Sequence, residues 1–239
     1  MEKYPQPEGT NPFGHAGACS DQVVVQWDNQ AAAMAAKSGS AIVLAGGRSS
    51  RMGSDKGALP WGEATILERV VAELSAAFDD LVVVAGASQA AAMPGSSAAG
   101  ARVVLDTGAF EGPVQALRLG LATVRAEVAF ACACDLPFLN ARLALALRNM
   151  AAGHDAAMPL VQGRLQVLHA GYRKSCMPAL DAMIARGARK LQDLAAQLDV
   201  RRVGEDELRP YDSDLLSFFN VNTPEDYAHA LRLRAKSSP

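Results

Sequence analysis

Residues 41–56 read Ala41-Ile42-Val43-Leu44-Ala45-Gly46-Gly47-Arg48-Ser49-Ser50-Arg51-Met52-Gly53-Ser54-Asp55-Lys56. A short apolar run leads straight into two glycines. Continuous apolar residues without polar alternation read as a strand buried on both faces, the kind found in parallel sheets. The glycines let backbone N–H groups approach an anion without a side chain in the way. Arg51 and Lys56 follow closely, one a planar fork for phosphate oxygens, the other a point charge. An ordinary strand-to-helix loop with surface charges is the plain alternative, and the whole string fits it poorly. The string is neither GxGxxG nor GxxxxGK[ST], which disfavours a Rossmann dehydrogenase and a P-loop NTPase.

Outward from this stretch, strand and helix patterns alternate. Ile66, Leu67, Val70, Val71, Leu74 and Phe78 recur at helical spacing. Leu81–Ala85 and Arg102–Leu105 read as strands, with a short helix and loop between them. Pro113–Val124 reads as a helix with proline in its first turn, where the missing N–H costs little. Val128–Ala133 is the most apolar strand. Leu139–Met150 is helical, and Asp155–Pro159 is another short strand. Farther on, Leu165–Tyr172 is expected as one strand, and Met177–Ala185 and Arg189–Leu198 as helices. Thr223-Pro224-Glu225-Asp226 opens the last helix with a cap, a first-turn proline and two acids at the positive end. The alternation implies an α/β fold in three layers, an open, mostly parallel sheet with helices on both faces. Ligands of such sheets sit outside the carboxyl ends of the strands.

The composition excludes several other classes. The chain has 239 residues, half of them hydrophobic (50%), which is too apolar for a disordered protein and ample for a sizeable core. Its 23 basic and 25 acidic residues leave no basic excess for nucleic acid. No apolar run approaches the length of a membrane span. The N-terminus lacks the basic and apolar regions of a signal peptide, so a cytoplasmic protein is expected. Cys19, Cys132, Cys134 and Cys176 match no zinc or disulfide spacing, and Cys132 and Cys134 read as buried free thiols. Residues 1–39, rich in proline and glycine, are expected as a flexible extension. Residues 40–234 form the single expected domain, and 235–239 a tail.

Two acids follow strands directly. Asp135 stands in Cys134-Asp135-Leu136-Pro137, just after the most apolar strand. A carboxylate there suits a Mg²⁺ ion, which binds through one or two carboxylates plus substrate phosphates. Capping of the next helix is the equal alternative from the residues alone. Asp106 ends the strand Arg102–Leu105, where a turn-forming role is the alternative.

Together these segments resemble the nucleotidyltransferases that activate phosphorylated acceptors. Within that superfamily, LAGG…RMG.DK is most similar to the molybdenum cofactor guanylyltransferases, the MobA-like family. The resemblance covers roughly residues 40–232, with five motifs in the family's order. It implies the nucleotide-diphospho-sugar transferase type of Rossmann-like fold. It implies nucleotide contacts from Leu44, Ala45, Gly46, Gly47, Lys56, Asp106 and Asp135. Catalytic roles fall to Arg51, Lys56 and Asp135, with Asp135 as the Mg²⁺ ligand. Phe219-Asn220-Val221-Asn222-Thr223-Pro224-Glu225-Asp226 matches the family's NVNTPEDL segment, and Asn220 and Asn222 are candidates for the acceptor side. Gly163–Tyr172 is similar to the family's stretch beside the acceptor, though His169 itself reads as a packed strand histidine. Two departures stand out. Val114-Gln115-Ala116 replaces the family's Leu-Ala-Gly, and no asparagine follows the strand ending at Ala85.

The implied reaction passes GMP from GTP to the phosphate of molybdopterin, with pyrophosphate leaving. The expected partners are GTP and molybdopterin, with transient contact to molybdoenzymes or their chaperones, and neither nucleic acid nor membrane. Three alternatives stay open at this level: a CTP-dependent cytidylyltransferase of the same cofactor, a sugar-phosphate nucleotidyltransferase, and a cofactor-binding protein without chemistry.

Overall fold

The computed structural model describes residues 37–46, 56–91, 100–107 and 112–237. Gly47, Arg51, Cys19 and the expected N-terminal extension up to residue 36 lie outside them.

The first strand, β1 (Ser40–Leu44), is buried along its whole length. A small antiparallel pair follows, β2 (Pro60–Trp61) with β3 (Ala64–Thr65). Helix α1 (Ile66–Ala77) starts on a capping box. Glu68 N–H donates to the Thr65 hydroxyl at 3.2 Å, and Thr65 N–H donates to the Glu68 carboxylate at 2.7 Å. Then come β4 (Asp80–Ala85), the short α2 (Ala87–Ala91), β5 (Arg102–Leu105), α3 (Pro113–Thr123), β6 (Val128–Ala133) and α4 (Ala141–Met150). Each matches an expected element to within two residues or so.

The second half differs more. Strand β7 (Ala156–Val161) turns through Gln162 and Gly163 into β8 (Arg164–Leu165), which pairs back on it antiparallel. Both turn residues have positive φ, 50° and 73°. That is the two-residue hairpin turn whose twist matches the flanking strands. The single strand expected over 165–172 is therefore split. Residues 166–168 leave the ladder, and β9 (His169–Arg173) pairs antiparallel with both β6 and β7. The helix expected over 189–198 is a 3₁₀ segment, Leu191–Gln197. Elements not expected from the sequence include the β2–β3 pair, β10 (Val200–Gly204), parallel to β7, and α6 (Glu205–Leu208). Helix α7 runs Pro224–Ser237, and Asp226 and Thr223 cap each other at 2.9 and 3.1 Å.

The main sheet has the order β10-β7-β9-β6-β1-β4-β5. Only β9 and the short β8 oppose the common direction, so the carboxyl ends of the other strands share one edge. Alternate residues of β1 serve two cores. Ala41 and Val43 face the apolar sides of α1 and α4, while Ile42 and Leu44 face α3 and α5 (Met177–Ala185). Two glycines set how closely helices lie on the sheet. A Cβ at Gly120 of α3 would meet Ile42 Cγ2 at 2.6 Å, so the close approach comes from Gly120 although Val114-Gln115-Ala116 lacks a glycine. A Cβ at Gly171 of β9 would sit 2.4 Å from the Leu147 carbonyl oxygen of α4.

The amino edge is tied by Asp80, which is 3% exposed. Its carboxylate accepts from the Ser40 hydroxyl at 2.6 Å, the Arg125 N–H at 2.7 Å and the Arg102 guanidinium at 2.6 Å. Burial alone would raise its pKa. The backbone bond from Arg125 and the bonds from Ser40 and Arg102 together hold it below the usual carboxylate value.

Candidate active site

The carboxyl edge gathers the residues singled out in the sequence. Ala45 leaves β1 with its N–H bonded to the Val84 carbonyl at 2.8 Å, which holds the exit of the strand in register with β4. Gly46 is exposed, and no described atom lies within 4 Å of where its Cβ would stand. Lys56 begins a 3₁₀ turn, Lys56–Ala58, that leads into β2. Gly47 and Arg51 fall outside the described residues.

Asp106 continues β5, its N–H donating to the Ala85 carbonyl at 2.8 Å. It is half-buried at the same edge. From β5 to β6 there are three inter-strand spacings, roughly 14 Å. Asp106 and Asp135 thus stand at opposite ends of one half of the edge, with the exit of β1 between them.

Asp135 follows β6 by two residues and is only 9% exposed. The Asn220 side-chain amide donates to its Oδ1 at 3.0 Å. The Val221 N–H donates to the Asp135 carbonyl oxygen at 3.0 Å, so backbone and side chain are both gripped by the same distant segment. Val221, fully buried, anchors that segment in the core. The helix-capping role open for Asp135 goes instead to Asn140, whose side chain accepts from the Arg142 and Leu143 N–H groups at 2.9 and 3.3 Å. Asn222, two residues past Asn220, bonds through its N–H to the Asp226 carboxylate at 2.9 Å. Both asparagines line the same groove.

That groove, about 1280 Å³, lies on the β7 and β10 side of Asp135. Its walls are the β7–β8 turn, residues 166–168, and the chain from Asp214 to Asn222. Its polar lining combines the amides Gln162, Gln166, Gln192, Asn220 and Asn222 with the charged side chains of Arg164, Glu205, Arg209, Asp214 and Asp226. Phe218 and Phe219 supply aromatic surface. Sequence reasoning missed Gln162, Gln192 and the two phenylalanines. The Gln162-Gly163 pair is a turn signal that marks the hairpin, but nothing local brings Gln192 to it.

His169 opens β9 opposite Cys132 of β6. It is 2% exposed, and burial lowers its pKa to about 3, so the ring is neutral. The ring lies between Phe130 (centroids 5.1 Å apart) and Phe218 (4.5 Å). It is packed as the sequence suggested. Cys132 is fully buried, and burial first, then the neighbouring Cys134 and Asp135, push its thiol pKa well above the ordinary value.

Among the described residues no three His, Cys, Asp or Glu side chains cluster as a metal cage. A single amide-held carboxylate suits a hard cation that takes its remaining ligands from substrate oxygens and water. That is the habit of Mg²⁺, and Asp135 fits it.

Residues 41–202 match the family model of the MobA-like NTP transferase domain. The chain belongs to this family. The transferase is 36% identical to a probable molybdenum cofactor guanylyltransferase of Methanosarcina mazei, over 78% of this chain and 87% of that one. It is 30% identical to the molybdenum cofactor guanylyltransferase of Desulfosudis oleivorans, over 79% of this chain and 92% of that one. Its structure superimposes with a TM-score of 0.72 on the crystal structure of a molybdopterin-guanine dinucleotide biosynthesis protein A from Archaeoglobus fulgidus. That pair is 28% identical, over 82% of this chain and 99% of the other. The transferase is thus a nucleotidyltransferase with the mostly parallel, helix-flanked sheet of that fold. No helix among its described residues is long and apolar enough to cross a membrane.

Proposed function

We propose that this enzyme transfers GMP from GTP to the terminal phosphate of molybdopterin, giving the guanine dinucleotide cofactor and pyrophosphate. The observation that carries the reading is the position of Asp135, clasped by Asn220 where the two halves of the carboxyl edge meet. On one side lie the β1 exit, Lys56 and Asp106, which suit a nucleotide. On the other lies the amide-lined groove, which suits an acceptor. The relatives' names favour GTP over CTP and the molybdenum cofactor over a sugar phosphate. They favour an enzyme over a binding protein without chemistry.

The attacking group is already a phosphate oxyanion, so no strong base is needed. His169, buried and neutral, supplies none. The work is positioning and charge neutralisation. In this reading Leu44, Ala45, Gly46 and Gly47 present backbone to the nucleotide. Gly46 leaves room for close approach, since no described atom fills the place of its Cβ. Arg51 and Lys56 hold the β- and γ-phosphates as pyrophosphate departs. Asp106 seats the nucleotide. Asn220 fixes one oxygen of Asp135, and Asn222 faces the acceptor. A bound Mg²⁺, held by Asp135, would draw charge from the phosphoryl oxygens.

Residues 40–234 are taken as the catalytic unit, with 1–39 an extension and 235–239 a tail. The reaction is assigned to the cytoplasm, with product passing to molybdoenzymes or their chaperones by transient contact. The decisive test is purified protein with molybdopterin, Mg²⁺ and each NTP in turn, following pyrophosphate and dinucleotide. GTP-dependent product is expected, lowered by orders of magnitude in Lys56→Ala. Preference for CTP, or turnover with a sugar phosphate and none with molybdopterin, overturns the assignment.

A further inference from the structure

The imidazole of His169 is an anomaly in its own core. Neither ring nitrogen has a hydrogen-bond partner among the described residues. Buried polar atoms are ordinarily paired, and an unpaired one is costly to keep. A phenylalanine or leucine would fill the space without that cost. Among the described residues nothing supplies that partner, and a bound molecule can.

The route to them is short. Phe218 covers His169, centroid to centroid 4.5 Å, and Phe218 itself is only half-buried and lines the amide-rich groove. One phenylalanine ring separates the groove from the histidine. The backbone beneath that ring is held firmly. Asp212, 8% exposed, accepts from the N–H groups of Leu216 and Ser217 at 3.3 and 2.8 Å. Leu215, at the start of the turn, has φ of 54°. Of the two described non-glycine residues with positive φ, Gln162 belongs to the β7–β8 hairpin, whereas no hairpin requires this conformation of Leu215. Strain of this kind persists where the surroundings enforce it, and here it aims Phe218 at His169. With the backbone fixed, the side chain of Phe218 is what can give way, by a change of rotamer.

We propose that His169 is a binding residue for the fused heterocycle of the acceptor, reached when the Phe218 ring turns aside. The groove offers what a flat ring with N–H and carbonyl edges requires. Phe219 provides a face for stacking, and Gln162, Gln166 and Gln192 provide paired donors and acceptors. His169 would add one hydrogen bond from beneath, which gives one of its two ring nitrogens a partner. This rests on the acceptor reading above and assigns a specificity determinant to it.

The test separates the two. Long-range ¹H–¹⁵N spectra of the histidine rings are recorded on the full chain during titration with 6-hydroxymethylpterin, with GTP as the control. A ring-nitrogen shift of His169 with the pterin and not with GTP is expected. Steady-state kinetics then compare wild type with His169→Phe and His169→Gln. The Phe variant is expected to raise the KM for molybdopterin at least tenfold, leaving the KM for GTP and kcat at saturating acceptor within about twofold. The Gln variant restores part of the loss. Phe218→Ala, which uncovers the histidine, gives the same pterin-induced shift at lower pterin concentration. An unshifted His169 resonance overturns the inference, as does an unchanged acceptor KM in folded His169→Phe. If wild type makes no dinucleotide from any NTP, the transfer reading falls, while the ¹⁵N titration still decides the role of His169.

Discussion

Replacing Asn220 by alanine removes one hydrogen bond, the 3.0 Å contact to Asp135 Oδ1, and spares the backbone bond from Val221 to the Asp135 carbonyl. The chain stays where it is, and only the carboxylate loses its clamp. A hydrogen bond to an ionised group contributes about 1.5–3 kcal/mol. If that energy is used to aim Asp135, its loss lowers kcat/KM about 10- to 150-fold, at 1.36 kcal/mol per decade. Stability should change little, because the carboxylate at this edge can be rehydrated. A fall in Tm below about 4 °C is expected for a domain of this size. The assay is pyrophosphate release with GTP and molybdopterin across a Mg²⁺ titration. The Asn220→Ala curve should need more Mg²⁺ to saturate. Turnover and Mg²⁺ dependence indistinguishable from wild type would refute the idea that Asn220 aims a working carboxylate. Asp135→Asn then locates the fault. Near-normal release by that variant removes Asp135 from the reaction altogether.

Three further outcomes concern the frame around the site. Asp80→Ala releases the Arg102 and Arg125 partners at the far edge of the sheet. The arginines are exposed and return to water, so the cost is that of leaving the Ser40 hydroxyl and Arg125 N–H without their acceptor, about 1–3 kcal/mol by chemical denaturation, with KM for GTP unchanged. Because the folded pKa of Asp80 is lowered, its stabilising contribution is present above the unfolded value of 3.8 and lost as pH falls through the folded one. The variant should therefore lack that part of the acid transition. His169 titrates in a different window. Its folded pKa is lowered by burial to about 3 from 6.5, so the unfolded chain takes up the proton first as pH drops. Stability should fall between pH 6.5 and 3 with a slope of up to about 1.4 kcal/mol per pH unit from this group. His169→Phe should flatten that slope in urea melts taken at successive pH values. Gly171→Ala forces a methyl to within 2.4 Å of the Leu147 carbonyl. Backbone cannot yield as a side chain can, so a loss of about 1–3 kcal/mol or more is expected, read as a lower urea midpoint.

The first half of the fold was legible because its signals are local. Ala41–Leu44 and Val128–Ala133 are unbroken apolar runs, and in the structure both lie in the middle of the sheet. The second half was less so. Val200-Arg201-Arg202-Val203 carries charge in the middle of β10, which an edge strand tolerates and a sequence pattern does not advertise. The split at residues 166–168 begins opposite Pro159, which accepts from the Gln166 N–H but has no N–H to return the bond. Of the candidate site, Asp106 and Asp135 announce themselves as acids after strands. The clamp by Asn220 does not, because it joins positions 85 residues apart.

By itself the sequence determined the parallel, helix-flanked sheet and the family to which its motifs belong. These rest on short-range facts: unbroken apolar runs, helical spacing, and glycine's lack of a side chain. Tertiary structure alone decided which groups meet. It divides the edge at Asp135 into the side of the β1 exit and Asp106 and a groove lined by amides and charged side chains. It gives Asp135 to Asn220 and leaves the helix cap to Asn140. It also buries His169 behind Phe218, with neither ring nitrogen bonded to a described residue. The physical reason is that hydrogen bonding and desolvation depend on distance in space, and the chain returns to this edge from segments far apart in its order.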